Sequence, residues 1–441
     1  MSNNSSQFGL LAELNKQFSD QRQLHIGIIG CGEMGCDLIT QFSMMSGMKL
    51  CAVADHKPIR IINAVKIAYD DIESVTEVCN NQQLTTAIEA GKIAATDDSD
   101  LLLKNELIDI IIDATGSPNA GATIALKAFS HNKHLVSMSV ETDVTIGCYL
   151  NHLAKKANLI YSIGAGDEPS ACMELINFVS DMQLTIVCAG KGKNNPLNID
   201  ATPDLYMQEA LERQMNPRML VEFVDGSKTM VEMACLANAT GLITDCAGMH
   251  GPAAGLKDLS KIFIPKSDGG ILSNVGRVDY SIGKDIAPGV FVVAKTDHPR
   301  ILERLKDLKM GQGPYFTFFR PYHLTSLEVP LTCARIALYN KPDLAPLPTP
   351  TVEVCAVAKK DMHANVKLDS IGEYCYRAWS MSYIEAQKQG AIPCGLLKDA
   401  TTLKYIKKGE LLTNENVSIN VNSPIAQLHD LQKIYLNNIS R

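Results

Sequence analysis

Over the first third of the chain, short runs of consecutive apolar residues alternate with amphipathic stretches. QLHIGIIG (23–30), KLCAVAD (49–55), IDIIIDAT (108–115), HLVSMS (134–139) and LIYSIG (159–164) lack polar alternation, so each predicts a strand covered on both faces. Stretches near 33–46, 57–68, 118–131 and 143–157 predict the helices between them. Strands and helices in strict alternation form a parallel sheet with helices on both sides, an α/β doubly wound fold. Residues 69–98 read as a polar excursion with one helix, and residues 6–18 as a short amphipathic helix.

The pattern changes after residue 165. Residues 166–345 show more alternating strands and turn signals at Asp225-Gly226, Gly269-Gly270 and Gly311-Gln312-Gly313-Pro314, which predicts a mixed α+β domain. KPDLAPLPTP (341–350) reads as a linker, and residues 351–441 as a small, β-rich module closed by a helix near 424–436. The expected division is an N-terminal helix at 1–22, a nucleotide domain at 23–165, a catalytic and dimerisation domain at 166–345 and a last domain at 346–441.

Composition narrows the class. A chain of 441 residues with 46% hydrophobic and 20% charged residues fits a soluble globular protein of several domains. A net charge of −7 without a long basic run argues against nucleic acid. No apolar run reaches the length of a membrane span, and the N-terminus lacks the features of a signal peptide. Thirteen scattered cysteines without a C-x-x-C point to reduced thiols in the cytoplasm.

GCGEMG (30–35) follows a strand and opens a helix, matching the G-x-G-x-x-G dinucleotide fingerprint of a Rossmann-type sheet. Gly30 permits the turn, Gly32 admits a pyrophosphate, and Gly35 lets the helix sit close, with Glu33 and Met34 at the helix start. Asp55 ends the next strand twenty positions past Gly35, where ribose hydroxyls belong. That acid favours NAD(H), whereas Lys57 and Arg60 suit the 2′-phosphate of NADP(H), so both cofactors stay open. Thr115 and Gly116 end another strand at the same sheet edge and are expected on the nicotinamide side.

Four polar stretches compete for the chemistry. In GAGDEPSACMEL (164–175), Asp167 reads as a helix cap and Glu168 as a general base or metal ligand. In CAGKGKNNPLNID (188–200), Lys191 and Lys193 are two apart on a strand, so both point to one face, where they suit a phosphate or a polarised carbonyl. Asn194 and Asn195 add neutral donors and acceptors there; an exposed basic turn is the alternative. In DGSKTMVEMACLANATG (225–241), Lys228 is placed to reach an anion, while Thr229 and Glu232 have capping-box spacing, as do Thr325 and Glu328 further on. His250 lies in a glycine loop. Arg320, Tyr322 and His323 stand just ahead of a helix and form a candidate anion site with an acid–base group.

GDEPSACMEL, AGKGKNNPLN, DGSKTMVEMACLANATG and FRPYHLTSLEVP together resemble the homoserine-dehydrogenase-like oxidoreductases with a C-terminal SAF domain. Within that group the chain is most similar to the deoxyxylulose-phosphate reductoisomerase-like (DRL) enzymes. VAKKDMHANVKL (357–368) and IKKGELLTNENVS (406–418) resemble pieces of the SAF module. The resemblance implies an enzyme that rearranges 1-deoxy-D-xylulose 5-phosphate and reduces the product with NADPH to 2-C-methyl-D-erythritol 4-phosphate; a homo-oligomer, with a homodimer as its simplest form, is the expected assembly. It also implies that a helix at about 325–340 completes the nucleotide domain. In that chemistry Lys191 and Lys193 polarise oxygen or bind phosphate, Arg320 and Lys228 hold the phosphate, and His323 or His250 moves protons. A divalent metal with Glu168 as ligand is an open alternative electrophile. Two rival readings remain: a homoserine-dehydrogenase-like oxidoreductase acting on another small polar substrate, and a redox-sensing dinucleotide binder without turnover.

Overall fold

The computed structural model describes residues 8–18, 23–70, 72–194 and 196–439. The chain divides into two compact units, one of residues 1–170 with 324–348, the other of residues 171–323 with 349–441.

The first unit is built on seven strands: β1 (Leu24–Ile29), β2 (Met48–Ala54), β3 (Val75–Glu77), β4 (Ile93–Thr96), β5 (Ile110–Asp113), β6 (His134–Ser137) and β7 (Tyr161–Ile163). They pair in parallel in the order β3-β4-β2-β1-β5-β6-β7. Helix α1 (Gly9–Gln17) precedes β1, and the helices between the strands are α2 (Glu33–Ser43), α3 (Pro58–Tyr69), α4 (Asn81–Glu89), α5 (Ser99–Lys104), α6 (Pro118–Ser130) and α7 (Val140–Lys156). Ile26, Ile28, Val53, Ile110 and Ile112 are wholly buried, as expected for strands sandwiched between helix layers. Each such side chain contributes about 1.5–3 kcal/mol of transfer free energy. The polar excursion at 69–98 holds more than its expected helix: β3 and β4 extend the sheet there. Strands of three and four residues, the second reading only IAAT, carry too little pattern to announce themselves.

The chain returns to this unit late. The helix Val329–Tyr339 buries Val329, Cys333, Ala334 and Ile336 in the nucleotide core. Leu344 then forms an antiparallel bridge to Ile163 at the free edge of β7. Pro346 accepts a 2.6 Å hydrogen bond from Asn151 of α7.

α8 (Glu168–Asp181) crosses the boundary in sequence. The second unit holds a mixed sheet of β8 (Thr185–Lys193), β9 (Ile243–Thr244), β10 (Arg277–Ile282), β11 (Val290–Lys295) and β12 (Tyr315–Arg320), in the order β12-β11-β8-β10-β9. Its helices are α9 (Met207–Glu212), α10 (Pro217–Val224), α11 (Ser227–Thr240), α12 (Leu259–Ile262) and α13 (Pro299–Asp307). An antiparallel pair, β13 (Val352–Ala358) and β14 (Tyr376–Ser382), belongs to the same unit. Two strands alone are marginal in water. Here they lean on α11: Asn238 donates to the Val352 carbonyl at 3.1 Å, and the Ala378 N–H donates to Ser227 Oγ at 2.9 Å. Buried Lys359 pairs with Asp225 at 2.9 Å, at 2% and 0% side-chain exposure. The C-terminal helix spans Pro424–Ile439.

Candidate active site

In the first unit the fingerprint loop joins β1 to α2. Gly30 has φ +105°, and a Cβ there would come within 2.6 Å of the Ala114 carbonyl oxygen on the loop after β5. A Cβ on Gly35 would lie 2.2 Å from the Gly30 oxygen, so only glycine lets α2 sit this close. Gly32, by contrast, faces open space and caps α2 with no side-chain bond. The α2 N-terminus is thus open to an anion, and the glycine spacing leaves room for a pyrophosphate. Glu33 is exposed and Met34 half-buried at the helix start.

Asp55 follows β2. Its carboxylate accepts from the Cys31 N–H at 2.8 Å and the Lys57 N–H at 2.9 Å, and Arg60 Nη1 lies 3.9 Å away. The acid is therefore fixed at the edge of the loop with a partly neutralised charge, and Arg60 is half exposed beside it. After β5, buried Asp113 accepts from the Thr115 N–H at 3.0 Å and the Thr115 hydroxyl at 2.7 Å, and burial raises its pKa. Gly116 adopts φ +61° with open space over its Cα. The donor set and the open glycines fit a nicotinamide dinucleotide. Glu168, 8% exposed, begins α8 in this unit, next to Asp167.

The second unit carries a row of cations. Lys191 on β8 faces Val290 on β11, and Val290 faces Arg320 on β12. Residues opposite one another in antiparallel strands share a face, so Lys191 and Arg320 lie on the same side of the sheet, and Lys193 joins them two residues along. Two strand spacings put the Lys191 and Arg320 backbones about 10 Å apart. α8 and α11 cover this face: Phe178 of α8 packs edge-on against Phe318, and Glu232 of α11 pairs with Lys191.

Both lysines are buried, at 5% exposure each. Lys191 Nζ donates to Glu232 Oε2, and Lys228 Nζ approaches Glu232 Oε1 at 3.9 Å. Lys193 Nζ donates to the Phe223 carbonyl at 2.7 Å. Burial first, and the Lys191 charge second, push the Lys193 pKa down to about 8. A buried lysine near its own pKa both stabilises an oxyanion and exchanges a proton near neutral pH. The exposed basic turn weighed as an alternative does not describe this pair.

The structure places the remaining candidates as follows. Arg320 Nη1 pairs with Glu174 of α8 at 2.9 Å, and its guanidinium stacks 5.0 Å from the Tyr322 ring centre. His323 follows in the same segment, half-buried. Asn194 is exposed at the end of β8, and Asn195 lies outside the described residues. His250 Nε2 lies 2.9 Å from Asp245 Oδ2, away from the lysine row in its contacts. Burial pushes the Asp245 carboxyl up, but hydrogen bonds from Ser273, Arg277 and His250 outweigh it and hold the pKa well below the ordinary value. The His250 N–H also donates to Asp279 at 3.1 Å, so this histidine braces its glycine loop.

Glu232 corrects the capping-box reading. α11 starts at Ser227, with Gly226 as its cap at φ +84°, so Glu232 is the sixth helical residue and wholly buried. It is the counter-ion of the cationic face, and the Lys228-to-Glu232 spacing of four was its one sequence signal. Glu328 does serve the backbone, accepting from the Leu324 N–H at 2.9 Å.

Residues 30–161 match the family described as the homoserine dehydrogenase NAD binding domain, and residues 166–329 match the catalytic domain of oxidoreductase DRL. No curated protein matches the sequence. Similar solved structures include a probable dehydrogenase from Thermotoga maritima, at 14% identity and a TM-score of 0.41, covering 72% of this chain and 90% of that one. The apo scyllo-inositol dehydrogenase from Lactobacillus casei shows 12% identity and a TM-score of 0.41, with 73% and 90% coverage. The 3-ketoreductase KijD10 from Actinomadura kijaniata, solved with NADP and TDP-benzene, shows 11% identity and a TM-score of 0.35, with 73% and 91% coverage. Among the described residues no helix is long and apolar enough to cross a membrane. With a nucleotide-binding half of the homoserine dehydrogenase type followed by a DRL catalytic domain, the chain is a DRL-like, NAD(P)-dependent oxidoreductase.

Proposed function

We propose that the enzyme is a reductoisomerase converting 1-deoxy-D-xylulose 5-phosphate to 2-C-methyl-D-erythritol 4-phosphate, a step of isoprenoid precursor synthesis, with NADPH. The observation that carries this reading is the pair of buried lysines on one strand face, Lys191 held by Glu232 and Lys193 by the Phe223 carbonyl, within the segment that matches the DRL catalytic domain. A reductase acting on a neutral ketone needs one donor at the carbonyl oxygen. Two buried ammonium groups and an arginine in one row suit a substrate that is itself anionic and also develops an oxyanion.

The chemistry assigns the residues. A base removes the proton from the hydroxyl next to the breaking carbon–carbon bond, leaving an aldehyde on the phosphate-bearing fragment. The bonding electron pair passes to the ketone oxygen, forming an enolate that Lys191 stabilises. A proton then passes from the hydroxyl on the neighbouring enolate carbon to the former ketone oxygen, which makes the former ketone carbon the nucleophile; its addition to the fragment aldehyde closes the new carbon–carbon bond and leaves the branched aldehyde. Bound NADPH supplies the hydride that reduces it. Lys193 delivers the proton to the new alkoxide, for which a pKa of about 8 is suited. Arg320 and Lys228 hold the phosphate, Tyr322 keeps the Arg320 plane in place, and Asn194 and Asn195 bind substrate hydroxyls. Glu168 and His323 are the candidate bases. The SAF-like character of residues 346–441, the cytoplasmic location and a homo-oligomeric state belong to the same proposal.

The test is direct. Purified protein with NADPH and deoxyxylulose phosphate is expected to consume the cofactor and yield methylerythritol phosphate, identified by NMR. Oxidation of homoserine with NAD(P), and no turnover of the sugar phosphate, would instead support the homoserine-dehydrogenase-like alternative. The DRL match of the catalytic segment favours the first outcome.

A further inference from the structure

Away from the lysine row, the second unit contains a cavity of about 290 Å³ whose lining includes none of the residues assigned above. Strand periodicity creates it. In β14 the even positions Ala378 and Ser380 meet α11, at Ser227 Oγ and Met230 Sδ. The odd positions Arg377, Trp379 and Met381 therefore point the other way, into the cavity, where Ile199, Val357 and Leu411 add apolar wall.

Arg377 is the anomaly. Its side chain is partly buried, and burial lowers its pKa. The guanidinium lies over the Trp379 ring, 4.7 Å from the ring centre. Among the described residues it makes neither a hydrogen bond nor an ion pair. The other charges at the cavity are committed: Lys359 to Asp225 at 2.9 Å, and Lys408 to Asp200 at 2.8 Å. One positive charge is left over, and its five donors have no acceptor. Trp379 is held in turn by Gly248, where a Cβ would come within 2.2 Å of the indole. Arg377 is thus oriented by a fixed ring and left without a partner, in a chamber with apolar walls.

We propose that this cavity is a binding site for a small organic anion, with a carboxylate or phosphate head taken by Arg377 and an apolar body against Trp379, Val357 and Leu411. The site goes beyond the proposed reaction and does not depend on it. Its occupant sits on the strand that contacts the α11 N-terminus, the segment that carries Lys228 and Glu232. The volume is near the lower end of the range for small-molecule sites, which suits a compact ligand.

Trp379 is the chain's single tryptophan, so intrinsic indole fluorescence reports on this cavity alone. Full-length protein is titrated with hexanoate and with butyl phosphate at constant ionic strength, alongside hexanol and inorganic phosphate. Saturable change with either organic anion, and a response at least about tenfold weaker to hexanol and to inorganic phosphate, is the expected result. The two anions tell a carboxylate ligand from a phosphate one. Arg377→Gln is expected to weaken the response about tenfold or more. Ala247→Phe, which fills the mouth without changing charge, is expected to abolish it; NADPH binding by each variant checks the fold. No saturable change with either anion, an equal response to hexanol or inorganic phosphate, or an undiminished response in both variants overturns the proposal. The readout is binding, so it stands whatever the deoxyxylulose assay returns.

Discussion

The dinucleotide cradle and the lysine face are made of opposite materials. The first is almost entirely backbone: glycines that remove side chains, a helix end with open N–H groups, and one carboxylate fixed by two amides. The second is made of side chains on a sheet, where charges lie side by side only because β8, β11 and β12 pair in one register. A cradle of backbone tolerates no added atoms, whereas a face of buried charges tolerates no missing partner.

The largest expected effect tests the second half of that contrast. Lys191→Met should cut kcat by about a thousandfold or more, with NADPH affinity unchanged in a fluorescence titration. It should also cost about 3–5 kcal/mol in denaturant unfolding, because Glu232 keeps its buried charge. Adding Glu232→Gln should restore most of the stability and none of the turnover. If the double variant regains activity, Lys191 is architecture and not chemistry.

Two glycines sharpen the other half. Gly35→Ala drives a Cβ into the Gly30 carbonyl, so it should lose both stability and roughly a hundredfold in NADPH affinity. Gly32→Ala meets no protein atom, so the melting temperature should hold while affinity alone falls about tenfold. Equal melting temperatures for the two variants would mean that the helix is not seated by glycine contact.

pH separates the two lysines. Lys193 has its pKa lowered from 10.5 to about 8, so its ammonium is disfavoured in the folded protein. Between about 8 and 10.5 the unfolded chain binds more protons at this side chain, so wild-type stability should rise with pH across that window. Lys193→Met should remove the rise. In the rate profile kcat/KM should fall above about pH 8, and Lys193→Arg, whose guanidinium does not give up its proton in this range, should lose most of the rate and the limb with it.

The smallest effect is at Arg60, exposed beside Asp55. Arg60→Ala should raise KM for NADPH a few-fold and leave NADH unchanged. Equal changes for both cofactors would remove the 2′-phosphate from its role.

Legibility in the sequence followed the same division of materials. The cradle could be read because strand, glycine spacing and Asp55 lie within one short stretch of chain. β3 and β4 could not, being too short to show a period. On the lysine face, the shared side of Lys191 and Lys193 followed from strand spacing, but Arg320 joins them through strands more than a hundred residues apart in sequence. Glu232 was hidden by a coincidence: Thr229 stands three residues before it, and the true cap, Gly226, carries no side chain to advertise itself. Arg377 gave no signal, since its isolation is a property of which neighbours are already engaged.

The return of residues 324–348 to the first unit has a consequence for biosynthesis. On the ribosome, β7 is made roughly ten seconds or more before Leu344 arrives to cover its edge, at ordinary elongation rates. Throughout that interval the nascent nucleotide domain presents an open strand and an unfilled groove where Val329, Cys333 and Ile336 will lodge. Chains cut short after residue 165 should therefore aggregate or recruit chaperones, although every glycine of the cradle is already in place.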